Sequence, residues 1–359
     1  MTNHNILDSM SLIVFEGRAK MIQKPIKNLI ILFAALMLIM PPIVVEAAQK
    51  KSHKHVSSSG KHKVAKSKHS VSSRKIFRTI RADRKYQVQR ANYSQSLFQD
   101  DYDGSGVLQL ASSKALIVNQ ETGETLYAKS TDLPTPIASV TKLMTAIVLL
   151  DAQLPMDETI VIAQADADVL KGTTSRLRIG TELTRTELLQ LALMASENRA
   201  AAALGRSYPG GLDAFIEAMN AKAIALGMLR THFTDPTGLD SGNVSTAEDL
   251  VKMLRAAYQY PEIRQDSTAP SYEVPVHGLR RLVNFVNTNI LVRKSDWVIG
   301  LSKTGFISEA GRCLVMQAEI AGQPLIIVLL DSYGKNSRIG DAQRIRKWIE
   351  SSNAKASLS

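Results

Sequence analysis

The stretch Pro136-Ile137-Ala138-Ser139-Val140-Thr141-Lys142-Leu143-Met144-Thr145-Ala146-Ile147-Val148 decides how this chain is read. After Pro136, apolar Leu143, Met144, Ile147 and Leu150 recur at helical spacing, which predicts a helix with Ser139 and Lys142 in its first turn. Residues three apart share a helix face, with Cβ atoms about 5–6 Å apart, so an amine stands beside a hydroxyl. Burial and the positive end of the helix dipole both disfavour an ammonium there. An uncharged Lys142 can take the Ser139 proton and leave a nucleophile.

Ser-x-x-Lys alone is a weak pattern, equally compatible with a helix start bearing a surface lysine. It recurs from Ser58 to Lys61, from Ser72 to Lys75 and from Ser332 to Lys335. The first two fall in a basic, serine-rich tract and the third in a Ser-Tyr-Gly turn. Only Ser139 opens an apolar helix.

Working outward, 359 residues allow one large domain or two ordinary ones, and 45% hydrophobic content supplies a core. The net charge of +11 is unevenly placed. Residues 50–90 carry nine Lys, five Arg and one Asp, residues 1–49 add one net positive charge, and the remainder is left at −3. The basicity therefore belongs to an arm, and nucleic-acid binding by the folded part is not supported. A single cysteine, Cys313, excludes an intrachain disulfide framework; set in Cys313-Leu314-Val315-Met316, it reads as a small buried thiol.

Lys24 and Lys27, the apolar run 29–45 and the small residues Ala47-Ala48 have the form of an export signal, expected over residues 1–47 with cleavage after Ala47. The periplasm follows as the expected location. The unit begins at Met21, which makes Met21 a candidate initiator; an uncleaved membrane anchor is the competing reading. Residues 48–106 are expected to be a disordered basic tether, too poor in large apolar residues to offset chain entropy. Its scattered His53, His55, His62 and His69 lie among lysines, so no metal or other cofactor is expected. Weak contact with anionic headgroups or an acidic wall polymer would be salt-sensitive.

The folded domain is expected over residues 107–351, followed by a polar tail, 352–359. Ala115–Asn119 and Thr125–Ala128 read as a hairpin. Capping boxes Thr184 to Glu187 and Ser245 to Glu248 open helices, and a third helix runs from Leu212 to Leu226 before Gly227. After Trp297 come three strands, 297–304, 312–320 and 324–330, then a last helix from Asp341. Two strands at one end and three at the other predict an α+β fold: one antiparallel five-stranded sheet flanked by helices, with an inserted helical subdomain and a cleft between the halves.

Two further motifs face that cleft. Ser196-Glu197-Asn198 closes the first capped helix, and Lys303-Thr304-Gly305 ends the first strand of the meander. In the order Ser-x-x-Lys, Ser-x-Asn, Lys-Thr-Gly, they resemble the penicillin-recognising serine enzymes, which implies a β-lactamase/transpeptidase-like fold. Ser139 to Ala146, Ser196 to Ala201, Phe233-Thr234-Asp235-Pro236-Thr237-Gly238-Leu239 and Lys303 to Arg312 resemble the low-molecular-mass D-alanyl-D-alanine peptidases, above all the endopeptidases of penicillin-binding protein 7 type.

The resemblance implies an acyl-enzyme on Ser139, Lys142 as base and Ser196 as proton relay to the departing amine. Asn198 would hold Lys142 or the substrate amide, Lys303 and Thr304 would meet the terminal carboxylate, and Gly305 would leave room for substrate. The N–H groups of Ser139 and Phe306 would form the oxyanion hole, where one donor typically lowers the barrier by about 3–4 kcal/mol. Glu197 is expected at the surface, pointing away. Implied partners are peptidoglycan stem peptides and their cross-links, with β-lactams as covalent inhibitors. A Ser-His-Asp triad is disfavoured because neither His232 nor His277 sits in a nucleophile elbow. A class A β-lactamase is disfavoured because Glu217-Ala218-Met219-Asn220 is the nearest match to a deacylating element and belongs to an amphipathic helix. A D-alanyl-D-alanine carboxypeptidase and a non-catalytic wall-binding scaffold remain the alternatives.

Overall fold

The computed structural model describes residues 108–356; the expected signal, residues 1–47, and tether, 48–106, lie outside the described residues. Strands β1 (Ser112–Asn119) and β2 (Thr125–Lys129) form the hairpin read from the sequence. β9 (Val298–Ile307), β10 (Gly311–Ile320) and β11 (Gln323–Ser332) form the meander. They join into one antiparallel sheet in the order β2-β1-β11-β10-β9, so the two ends of the domain meet at the β1–β11 pairing, while the short strands β3 (Thr135–Pro136) and β6 (Val244–Ser245), and β4 (Thr159–Val161) and β5 (Glu182–Thr184), pair outside it. Ile326, Val328 and Leu330 of β11 face the helical half, whereas Leu325, Ile327 and Leu329 face the opposite core. Both faces are buried, which explains why these strands read as continuous apolar runs rather than alternations.

Helix α1 (Lys142–Asp151) runs through the larger core, with every side chain from Lys142 to Leu149 buried. A helix apolar all round belongs inside, and its polar exceptions are satisfied: Thr145 Oγ1 donates to Pro236 O at 2.7 Å. Around it stand α2 (Arg185–Met194), α3 (Asn198–Arg206), α4 (Gly211–Ala225), α5 (Ala247–Ala257) and α6 (Pro261–Thr268). The last helix, α7 (Ser337–Ala356), covers the other sheet face with Ile339, Ala342, Ile345 and Ile349.

The α2 capping box is present: Glu187 N donates to Thr184 Oγ1 at 3.2 Å, and Thr184 N to Glu187 Oε2 at 2.8 Å. At α5 the cap is one residue later than expected. Thr246 Oγ1 accepts from Asp249 N at 3.1 Å, while Ser245 pairs with Thr135 in a two-residue bridge, and Glu248 binds Thr131 and Arg230. Helix α7 starts four residues before Asp341, whose buried carboxylate instead accepts Ala111 N at 2.9 Å and Ser112 N at 2.8 Å and pins the entry to β1. It also continues beyond residue 351, where Ser351 and Ser352 hydroxyls bond back to Trp348 O, so the tail boundary at 352 falls inside a helix. Helix α6 and the hairpin β7 (Ser271–Val274) with β8 (Val283–Val286) are structure that the sequence reading did not resolve. Among the described residues, no helix is long and apolar enough to cross a membrane.

Candidate active site

Ser139 and Lys142 are brought together by a tighter turn than expected. Ala138–Thr141 is a 3-10 helix, and α1 begins only at Lys142. At three residues per turn, positions i and i+3 eclipse, which sets Lys142 Nζ 3.0 Å from Ser139 Oγ. Ala138, at φ 49°, turns the chain into this arrangement. Non-glycine residues held in the left-handed region cost about 1–3 kcal/mol and gather at functional sites.

Two glycines make the turn's close packing possible. A Cβ on Gly238, at φ +80°, would lie 2.0 Å from Ala138 O and 2.9 Å from Ser139 N; one on Gly305 would lie 2.9 Å from Ile137 O and 3.1 Å from Ser139 N. Gly305 therefore makes room for the nucleophile turn against β9. Backbone collisions of this kind have no cheap relief.

Lys142 is 1% exposed and fully engaged. Besides Ser139, its Nζ donates to Asn198 Oδ1 at 2.8 Å and to Thr237 O at 2.6 Å. Burial pushes its amine down from 10.5 to about 7, against the pull of Asp235 and Glu197. Asp235 has a second task. Its carboxylate accepts Thr237 N, Thr237 Oγ1 at 2.6 Å, Gly238 N at 2.7 Å, Asp240 N at 2.8 Å and Asn243 Nδ2 at 2.9 Å. This loop aims the Thr237 carbonyl at Lys142 and seats Gly238 under Ser139. The Phe233–Leu239 stretch was singled out in the sequence only by resemblance, and its Asp-Pro-Thr-Gly-x-Asp turn chemistry was the available signal.

Ser196, at φ 59°, is the second non-glycine residue of the cluster in the left-handed region. Its hydroxyl accepts from Lys303 Nζ at 2.8 Å, and Lys303 also donates to Thr304 O at 3.0 Å. Lys303 is 1% exposed. Burial lowers its amine well below the usual range, and the charges of Lys142 and Arg338 push the same way. Thr304 Oγ1 donates to Thr288 Oγ1 at 2.7 Å, adding Thr288 to the site. Arg338, near the start of α7, has its Nε and Nη1 buried without hydrogen-bond partners among the described residues. Burial and Arg312 lower it from the ordinary guanidinium value. Nothing in the sequence marked this residue. Phe306 is 53% exposed, its ring 4.4 Å from the Arg312 guanidinium carbon.

Glu197 does not point away. It is half-buried, Ser175 Oγ donates to its Oε2 at 2.6 Å, and burial raises its carboxyl. Asn198 Nδ2 reaches the same loop, donating to Thr173 Oγ1 at 3.2 Å. Lys171 of that loop meets Glu309, in the β9–β10 turn, at 2.5 Å. The disfavoured groups stand elsewhere: His232 and His277 are exposed, and Asn220 of α4 holds Phe233 through its main chain. Cys313 is buried, its thiol pushed up to about 11.

A sheet closed by both ends of the described domain, a helical half, and between them two lysines each bonded to a serine make an arrangement suited to acyl transfer with lysine in place of histidine. Residues 101–334 match the Peptidase_S11 family, described as D-alanyl-D-alanine carboxypeptidase, and the chain belongs to that family. It is thus a serine-type D-alanyl-D-alanine peptidase. It is 49% identical over 248 residues to a D-alanyl-D-alanine endopeptidase of Pseudomonas aeruginosa, covering 69% of this chain and 80% of that protein. It is 48% identical over 242 residues to the endopeptidase of Escherichia coli, covering 67% and 78%. Among solved structures it is similar to the Streptomyces K15 DD-transpeptidase, with a TM-score of 0.62 at 31% identity over 67% of this chain and 97% of that one. The Mycobacterium tuberculosis D-alanyl-D-alanine carboxypeptidase gives 0.60 at 28% identity over 68% and 92%.

Proposed function

We propose that this protein is an exported D-alanyl-D-alanine endopeptidase that cuts peptidoglycan cross-links through an acyl-enzyme on Ser139. The observation that carries the chemistry is the Lys142 amine: buried, 3.0 Å from Ser139 Oγ and lowered to about 7. Neutral Lys142 takes the Ser139 proton as the oxygen attacks the D-alanyl carbonyl. The N–H groups of Ser139 and Phe306 receive the developing oxyanion. Collapse of the tetrahedral intermediate expels the amine of the second stem peptide, which takes its proton through Ser196, held by Lys303. Water then hydrolyses the acyl-enzyme.

The terminal carboxylate of the substrate lies against Thr304, Lys303 and Arg338. The two guanidinium nitrogens of Arg338 that have no partner among the described residues support this assignment, since a planar guanidinium matches a carboxylate, and an arriving anion favours the protonated form of Lys303. The endopeptidase preference rests on the two relatives of that name, each matched over more than three quarters of its length. Carboxypeptidase action would use the same residues. The periplasm is the location that fits the export signal of residues 1–47 and a cross-linked substrate; the folded domain is joined to that signal by the basic segment 48–106.

Incubation with cross-linked muropeptide dimers should yield monomers, and Ser139→Ala should yield none. Release of D-alanine from pentapeptides without dimer cleavage would make it a carboxypeptidase, and binding without either would make it a scaffold. β-Lactams should acylate Ser139 and stay, because the chain lacks the deacylating Glu-x-x-Leu-Asn element of class A β-lactamases.

A further inference from the structure

The loop that supplies Thr173 and Ser175 to the site continues directly into a second surface. Arg176 Nη1 donates to Asn284 O at 2.7 Å and its guanidinium stacks 4.1 Å from the Phe285 centroid. His277 N donates to Thr181 Oγ1 at 3.1 Å, and a Cβ on Gly278 would stand 3.4 Å from Arg178 Nη1. Residues 175–181 and the β7–β8 hairpin are thereby fastened into one ridge. On it Arg176, Arg178, Arg280 and Arg281 are all exposed. Ile179 follows Arg178, and Leu279 and Leu282 flank Arg280 and Arg281 in the chain, at 39%, 38% and 55% exposure.

These arginines are not balanced locally. Among the described residues, none of the four has a carboxylate within ion-pair distance, although Glu182 and Glu273 are near in sequence. The ridge also reaches the catalytic cluster electrostatically: the Arg176 charge opposes the burial-driven rise of the Glu197 carboxyl, next to Ser196 and Asn198. Exposed guanidinium groups without carboxylate partners, gathered on one fastened loop and hairpin with apolar side chains beside them, fit an extended ligand carrying several carboxylates.

We propose that the ridge of Arg178, Arg280 and Arg281, continued by Arg176, is a binding site for the second stem peptide of a cross-linked substrate, holding its free carboxylates while the first peptide occupies the cleft. This rests on the endopeptidase reading and deepens it, because a carboxypeptidase substrate has no second peptide to hold. A membrane surface would also attract arginines. The peptide is favoured because the loop that opens the ridge is bonded to Glu197 through Ser175 and to Asn198 through Thr173, beside Ser196 of the site.

The test uses the full chain with Arg178, Arg280 and Arg281 all changed to Glu. Arg176 is left in place because it packs on Phe285. Binding of cross-linked muropeptide dimers and of single D-alanyl pentapeptides is measured by calorimetry in a Ser139→Ala background, at low and high salt. Turnover and penicillin acylation are measured with Ser139 intact. Dimer affinity should fall about tenfold at low salt, the gap closing at high salt. Pentapeptide binding and penicillin acylation should be unchanged, and the triple Lys variant should keep most of the dimer affinity. Unchanged dimer affinity overturns the site, as does an equal loss for dimer and pentapeptide. Loss of binding to phosphatidylglycerol vesicles with dimer affinity intact would assign the ridge to a membrane and overturn it too. A parent protein that binds dimers but never cleaves them would sink the endopeptidase reading and leave the ridge standing.

Discussion

Two lysines, each hydrogen-bonded to a serine, are placed in opposite company. Lys142 has Asp235 and Glu197 near it and three oxygen acceptors on its amine. Lys303 has Lys142 and Arg338 near it and two acceptors. Both are desolvated to the same degree, yet only Lys142 is held at about 7, where it can gain and lose a proton under ordinary conditions. Lys303 sits among surplus positive charge, which an arriving anion would relieve. The surroundings, rather than the residue type, divide the proposed roles of base and carboxylate holder.

The sharpest way to break this comparison is to exchange the consequences. Lys142→Ala should lower penicillin acylation by about a thousandfold or more, because among the described residues no other base is bonded to Ser139. Lys303→Ala should lower it about ten- to a hundredfold, by weakening carboxylate binding and the hold on Ser196. Equal losses would erase the distinction. Next in size, Asp235→Asn should cost about 2 kcal/mol of stability, since an amide cannot accept all five hydrogen bonds. It should also slow acylation, with the Lys142 pKa moving down as its charge partner goes. Thermal melts and stopped-flow acylation check both effects.

How much of this was legible beforehand follows from which forces act locally. The sheet and its closure by both ends of the domain were readable, because apolar runs and glycine turns are local signals. Ser139, Lys142, Ser196, Asn198 and Lys303 were readable as motifs, and the structure gathers them. The 3-10 turn at Ala138 and the sharp bend at Ser196 were not, because both residues adopt left-handed backbone that neither residue type favours and only tertiary packing enforces. Arg338 and Thr288 lie far in sequence from the elements they join, so no spacing announces them. Glu197 was misplaced because a carboxylate between two motif residues reads as a surface residue until the 173–175 loop is seen to cover it.

A smaller effect concerns Arg338. Arg338→Gln should raise KM for a peptide ending in a free carboxylate about tenfold with little change in kcat, and should have less effect on an amidated one. An equal effect on both peptides would remove Arg338 from carboxylate recognition. Smallest is a gain in stability. Lys303 has a folded pKa far below its unfolded one, so between those values the unfolded chain binds more protons and stability rises with pH. Lys303→Met should remove that penalty and raise Tm at pH 7 by about 2 °C or more while impairing activity. A lower Tm would mean that the bonds to Ser196 and Thr304 outweigh the burial of the amine.

The most direct measurement is the rate of Ser139 acylation by a penicillin from pH 5 to 9, with the modified peptide identified by mass. A lowered Lys142 must be neutral to accept the serine proton. The rate should therefore climb with pH through a midpoint near about 7. That midpoint should move downward in Glu197→Gln, which removes a charge favouring the ammonium. A profile flat across this range, or a midpoint indifferent to Glu197, would contradict a lysine base at this site.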